Sequence, residues 1–277
     1  MRDILVFSES FKRWNGAIEY AARLANSLDA NLTGIWVCSS PMTAMPSFDP
    51  VLFAELLDAT LDLEHEAFAA AAAFEAHVLQ LGQRKAAWQV AEGHVPEVLA
   101  LAGSWHDLLV VERSGRSMWG TPGSVGNIVL GASGLPCIVV PEQAATQFPA
   151  LDTVAIAWNG STEAIRAAHA ALPLLQSARR IVILEGEQRP PVRMSAWLPP
   201  FDLAGYLLQH GMATESRPIH GGSEGDIGTA LLSAATESGA GLLVMGAYGH
   251  TRFREWVLGG VTRHVLAHAA LPVLLRH

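Results

Sequence analysis

Short apolar patterns recur in this chain in a fixed order, which restricts it to folds built from two copies of one unit. Asp107-Leu108-Leu109-Val110-Val111 returns as Gly241-Leu242-Leu243-Val244-Met245, 134 positions later. Gly134-Leu135-Pro136-Cys137-Ile138-Val139-Val140 returns as Ala270-Leu271-Pro272-Val273-Leu274-Leu275-Arg276, 136 positions later. Ile4-Leu5-Val6-Phe7 lines up with Val154-Ala155-Ile156-Ala157 at an offset of 150. The offsets drift because loops and helices differ in length, while the order of patterns is unchanged. A chain of 277 residues accommodates two domains of about 140 residues each. A polar, proline-containing stretch over 143–150 suits a linker, which places the domains at 1–145 and 146–277.

Within each copy, short apolar runs alternate with longer amphipathic ones. Strands are predicted over 3–8, 31–38, 85–91, 107–112 and 136–140, and again over 152–157, 180–185, 213–219, 241–245 and 272–276. These runs are apolar on both faces, as parallel strands covered by helices require. Helices are predicted over 14–28, 50–81, 95–103 and 124–132, then 161–175, 200–210, 224–238 and 260–269. Asn159-Gly160-Ser161-Thr162-Glu163 makes a good helix start, with a capping hydroxyl and an early acid. Strand–helix alternation with short connections implies right-handed crossovers and an open parallel α/β sheet. Ligands of such sheets bind at the carboxyl ends of the strands, where the strand order reverses.

Composition narrows the function classes. The longest apolar run, 67–74, spans eight residues, whereas a membrane helix needs about 20, so no transmembrane span is expected. The apolar stretch after Met1-Arg2-Asp3 is too short for a signal peptide, and a cytoplasmic protein is the expectation. Cys38 and Cys137 form neither a disulfide framework nor a metal-ligand spacing. The net charge of −8 argues against nucleic acid, whose binding needs clustered basic charge. All of that excess lies in residues 1–145, with 8 basic and 16 acidic side chains, against 10 of each in 146–277. A polyanion such as a nucleotide is therefore better suited to the second half.

Gly246-Ala247-Tyr248-Gly249 follows the fourth strand of the second half; after nine intervening residues come Gly259-Gly260 and a helix. Glycines let backbone amides approach an anion closely, and a helix start adds unpaired donors and a positive dipole end. With this placement the chain resembles the universal stress protein family in its tandem-domain form, over nearly its whole length. The resemblance rests on Gly246, Gly249 and Gly259, on Gly259-Gly260-Val261-Thr262-Arg263-His264-Val265-Leu266, and on Leu271-Pro272-Val273. It implies five-stranded parallel sheets of order 3-2-1-4-5 flanked by helices, in an adenine-nucleotide alpha-hydrolase-like arrangement. It further implies a loop that holds the phosphates of ATP or another adenine nucleotide, and a role in stress adaptation by binding. The cofactor-binding residues expected on this resemblance are Asn159, Gly246, Gly249, Gly259 and Gly260.

The chain departs from the family pattern at informative positions. Gly260 stands where the family has Ser or Thr, so a phosphate-facing hydroxyl is lost while the amide survives. Asn159 replaces an Asp at the end of strand one; it can hydrogen-bond a ribose but lacks a carboxylate to help hold a metal, and magnesium is not expected. Arg252, Arg254 and Arg263 supply positive charge. In the first half, Glu112 aligns with Gly246 and Gly115 with Gly249. Only seven residues separate Gly115 from Gly123-Ser124, and Glu9 takes the strand-one position. Glu112 and Glu9 would repel a triphosphate, so that half is read as degenerate. Two alternatives stand beside the binding protein. One is a slow ATPase, which Asn159 and Gly260 disfavour. The other is a nucleotide-free small-ligand or interaction module, for which the longer segment between strands one and four of the first half (3 to 107, against 152 to 241) offers extra surface.

Other chemistry-bearing residues have simpler readings. His264 and His268 share a helix face without a third metal ligand at a recognisable spacing. Glu64, His65 and Glu66 are helical neighbours that point apart. Ser8, Ser161 and Ser223 form no defensible triad, so no catalytic residue is assigned. The eight tryptophans read as core and interface residues. In related proteins the fifth strands pair across an interface; here 136–140 and 272–276 are expected to pair within the chain as a pseudo-dimer, with a further homodimer open.

Overall fold

The computed structural model describes residues 1–38, 50–113, 125–131, 135–142, 151–187, 202–221, 223–247 and 259–277. The chain forms two compact units, Met1–Phe148 and Pro149–His277. In the first unit, β1 (Asp3–Ser8), β2 (Asn31–Cys38), β3 (Ala86–Glu92), β4 (Leu108–Arg113) and β5 (Cys137–Pro141) run in the order β3-β2-β1-β4-β5. Every pairing is parallel, with Ile4 opposite both Leu32 and Leu108 and Leu109 opposite Cys137. Helices α1 (Gly16–Ser27), α2 (Pro50–Ala69), α3 (Ala71–Gln80), α4 (Val95–Gly103) and α5 (Val125–Gly131) connect them.

The second unit repeats the plan. Its strands β6 (Thr153–Trp158), β7 (Arg180–Glu185), β8 (Thr214–Pro218), β9 (Leu242–Gly246) and β10 (Val273–Arg276) run β8-β7-β6-β9-β10, again parallel throughout. Helices α6 (Thr162–Leu175), α7 (Leu203–Gln209), α8 (Glu224–Glu237) and α9 (Gly260–His268) complete it. Each sheet is therefore of the predicted 3-2-1-4-5 order, reversing between strands one and four.

The central strands explain why this pattern folds as it does. Ile4, Leu5 and Val6 of β1, and Val154, Ala155 and Ile156 of β6, are wholly buried, because helices cover both faces of each sheet. Burial of each such Val, Leu or Ile side chain contributes roughly 1.5–3 kcal/mol. β3 and β8 differ from the expectation of strands apolar on both faces. β3 alternates and β8 is mostly exposed, as edge strands can be. β8 ends in Pro218, which an edge strand tolerates, and carries Glu215 and Arg217, ion-paired with Arg180 and Glu237.

Helix starts follow local chemistry. Asn15 caps α1 by accepting from Ile18 N–H at 3.1 Å, and Ser161 caps α6 by accepting from Ala164 N–H at 3.2 Å. The predicted helix over 50–81 is interrupted at Ala70, which separates α2 from α3 while keeping φ −72° and ψ −8°. α3 seals its side of the sheet with an aromatic cluster: Phe74 lies 5.0 Å from Trp88, and Trp14 5.5 Å from Phe74. Trp105, by contrast, is exposed, so it is not a core residue. No described helix is long and apolar enough to cross a membrane.

Candidate functional site

The carboxyl ends of β6, β7 and β9 in the second unit open onto a cavity of about 160 Å³. Its apolar wall includes Trp158, Leu184, Ile227, Leu231 and Met245. Its polar edge is built from Asn159, Ser161, Glu163, Glu187 and the chain from Gly259 to Thr262. Of the five expected ligand residues, the structure brings Asn159, Gly246, Gly259 and Gly260 to this one cavity; Gly249 lies outside the described residues. So do Arg252 and Arg254 of the second half, Gly115, Gly123 and Ser124 of the first, and the linker 143–150.

Two helix N-termini line the cavity, those of α6 and α9. An α-helix leaves its first amides without intrahelical acceptors and bears partial positive charge there. α6 is capped by its own Ser161 hydroxyl. The N-cap of α9 is Gly259, with φ −57° and ψ 142°, and no side chain among the described residues caps the helix. Among the described residues, a Cβ built on Gly259 meets no atom within 4 Å.

Gly246 has a different job from Gly259. A Cβ there would lie 2.6 Å from Ala164 N and from the Glu163 carbonyl carbon, so this glycine is what lets the first turn of α6 pack on the end of β9. Asn159 also differs from a freely available ligand. Its Oδ1 accepts from Ser161 N–H at 3.1 Å in the turn that starts α6, leaving its amide NH₂ as the group that can donate. The turn requires Gly160, whose φ of +71° disfavours any side chain.

Two acidic residues of the cavity were not read as site residues, Glu163 and Glu187. Glu163 reads as an ordinary first-turn acid, and Glu187 follows the end of β7. The signal that finds them is topological: they follow the carboxyl ends of the adjacent strands β6 and β7, on the edge of the sheet where ligands of such folds bind. Their charge makes the cavity mixed in sign, with helix N-termini and carboxylates together in its lining.

In the first unit the corresponding strand end bears Glu112, whose carboxylate faces the Gly16 N–H and the Asn15 side chain at the start of α1, groups that favour its charged form. A side chain of this unit thus supplies the anion that the helix N-terminus attracts. Burial, reinforced by the nearby Glu142 and Glu9 carboxylates, raises the Glu112 pKa despite the opposing pull of Gly16 and Asn15. The folded state therefore holds this proton more tightly than the unfolded chain, and stability falls as pH rises from the ordinary Glu range through the raised folded value. Glu112→Gln is expected to melt higher than the parent at pH 8, with the gap closing as the pH drops below the ordinary Glu range. Thermal denaturation across pH checks this; a parent that melts higher at pH 8 contradicts it.

The remaining candidates have structural roles. Ser8 donates to Ser10 O at 2.6 Å, and Ser223 forms a capping box with Asp226 at the start of α8. His264 and His268 stack with centroids 4.3 Å apart. The Thr229 hydroxyl donates to Gly225 O, so at 3.1 Å His264 Nε2–H donates to Thr229 Oγ1, and the ring packs on Gly228 between α8 and α9. Cys38 and Cys137 are buried thiols, and burial raises both thiol pKa values.

Residues 208–277 match the model of the universal stress protein family. The chain is 23% identical to a universal stress protein of Synechocystis sp. over 296 aligned residues, covering 99% of each. Among solved structures, a universal stress protein from Archaeoglobus fulgidus superposes with a TM-score of 0.69 at 14% identity, over 99% of this chain and 97% of that one. A functionally unknown protein from Pseudomonas aeruginosa superposes with a TM-score of 0.59 at 12% identity, over 100% and 92%. At these identities the structural likeness establishes the α/β fold.

Proposed function

From a chain that carries the universal stress protein family signature in its C-terminal 208–277, we propose a stress-response binding protein that holds an adenine nucleotide in its second unit without significant turnover. The observation that carries this reading is the convergence of the α6 and α9 N-termini on one cavity with an apolar wall. The wall suits a purine, and the amides at the start of α9 suit phosphate oxygens. The Asn159 amide and the Ser161 and Thr262 hydroxyls are the neutral groups on hand for a ribose. Turnover would need a group that positions water and a carboxylate that holds a metal at the end of strand one, where this chain has Asn159.

The Glu163 and Glu187 carboxylates bear on which nucleotide binds. Each added phosphate brings negative charge into a cavity that already carries two acids, so in the absence of magnesium the affinity is expected to fall from AMP through ADP to ATP. Calorimetric titration of the full chain with the three nucleotides tests this. The expected result is saturable binding with one site per chain and no phosphate release above a blank. Two sites per chain would contradict the assignment to the second unit, and steady phosphate release would favour the ATPase reading. No heat with any of the three, together with binding of an uncharged apolar compound, would favour the nucleotide-free module.

A further inference from the structure

The outermost strand of the first unit lacks the protection that its counterpart in the second unit has. β3 ends the order β3-β2-β1-β4-β5, and among the described residues it pairs with β2 alone. Lys85 O accepts from Leu32 N–H at one end of that pairing, and Gly93 N–H donates to Cys38 O at the other. Backbone groups alternate sides along a strand, so those of 85, 87, 89, 91 and 93 face β2, while the N–H and C=O of Ala86, Trp88, Val90 and Glu92 face outward. Edge strands are commonly guarded by charge, proline or a bulge. β8, outermost in the second unit, has Glu215, Arg217 and Pro218. β3 has neither a charge nor a proline from Ala86 to Ala91.

The side chains of this strand leave room beside it. Trp88 turns toward the helices, its Nε1–H donating to Ala67 O at 2.9 Å, whereas Ala87 and Gln89 point to the other face and are exposed. Next to the start of β3 lies an open groove of about 330 Å³, between Ala72, Glu75, Ala76 and Leu79 of α3 and Arg84 and Ala86. The charges at the two ends of the strand select what fits along it. Arg84 and Lys85 lead into β3, and Glu92 closes it. Lys85 is held by Asp29 at 2.6 Å, while Arg84 and Glu92 are exposed. A second β3 laid antiparallel about 4.8 Å away sets Arg84 against the partner's Glu92, Ala86 against the partner's Val90, and Trp88 against the partner's Trp88. The outward backbone groups of Ala86, Trp88 and Val90 then satisfy those of the other copy. A parallel partner would instead set Arg84 beside Arg84 and Glu92 beside Glu92. We infer that two copies of the chain join edge to edge through β3, antiparallel about a twofold axis, in a contact that closes on itself. The surface belongs to the first unit and is separate from the nucleotide cavity of the second.

Sedimentation velocity of the full chain, from about 1 to 300 μM at about 0.15 M salt, tests this. A reversible monomer–dimer equilibrium is expected, with the dimer predominating at the upper concentrations. Gln89→Lys places a charge at an exposed position in the middle of the edge, where the two copies bring their lysines close together. It is expected to weaken the dimer about tenfold with the melting temperature unchanged. Arg84→Glu and Glu92→Arg, each alone, set like charges opposite one another and are expected to weaken it by about three- to tenfold. The two together restore opposite signs and are expected to return the dimer to within about twofold of the parent. A chain that stays monomeric throughout, a dimer that Gln89→Lys leaves intact, or a charge-swapped pair that dimerises no better than its single variants overturns the proposal. So do oligomers that keep growing with concentration, since the twofold contact uses each edge once.

Discussion

Gly259→Asp is expected to cost roughly a hundredfold or more in nucleotide affinity while leaving the melting temperature unchanged or slightly higher. The two outcomes separate because Gly259 is the N-cap of α9 and, among the described residues, has neither a side chain capping the helix nor an atom within 4 Å of an added Cβ. Its φ of −57° suits any L residue. Aspartate is among the best N-caps and gains a few tenths of a kcal/mol over glycine, and its charge complements the helix dipole. The same carboxylate takes the α9 amides that the ligand needs. It also sets a fixed negative charge beside a bound phosphate, worth about 3 kcal/mol at 5 Å with an effective dielectric constant of 20. Calorimetry and thermal denaturation on one preparation check both halves. Retained affinity would place the phosphates elsewhere.

Gly246→Ala is expected to act in the opposite way, through stability. Its new Cβ would sit 2.6 Å from backbone atoms of Glu163 and Ala164, which cannot swing aside as a side-chain tip can. The first turn of α6 must move off β9, at a cost of about 1–3 kcal/mol. A fall in melting temperature of about 5–10 °C is expected, and binding weakens as a consequence because the α6 N-terminus shifts. If alanine leaves the melting temperature unchanged yet abolishes binding, Gly246 serves the ligand directly and the packing role assigned to it is wrong.

The contrast between these two glycines shows how far the sequence could be read. The strands were legible because apolar runs such as Ile4–Val6 and Leu242–Val244 can only be buried on both faces, and parallel order followed from helical connections of sufficient length. The glycine pattern pointed to the cavity. It did not separate Gly259, lining the cavity, from Gly246, packed under a helix, because that difference lies in the distance between β9 and α6. The break at Ala70 was hidden in a run of alanines and carried no proline, glycine or cap to announce it. Glu163 and Glu187 were missed because each is ordinary in its own segment and only the fold brings them together. Glu112 was legible as an acid at the wrong place for phosphate. Its place beside Gly16 and Asn15 brings together residues almost a hundred positions apart, a relation that local pattern does not contain.

The central claim is that the amides at the start of α9 hold the anion beside the self-capped start of α6, while the start of α1 already faces the Glu112 carboxylate. Backbone amide chemical shifts of the ¹⁵N-labelled chain, followed as AMP is added, test it residue by residue. The account predicts saturable shifts for 162–164 and 260–262 and none for 16–18. Shifts confined to 16–18, or a spectrum that AMP leaves unchanged, would contradict it.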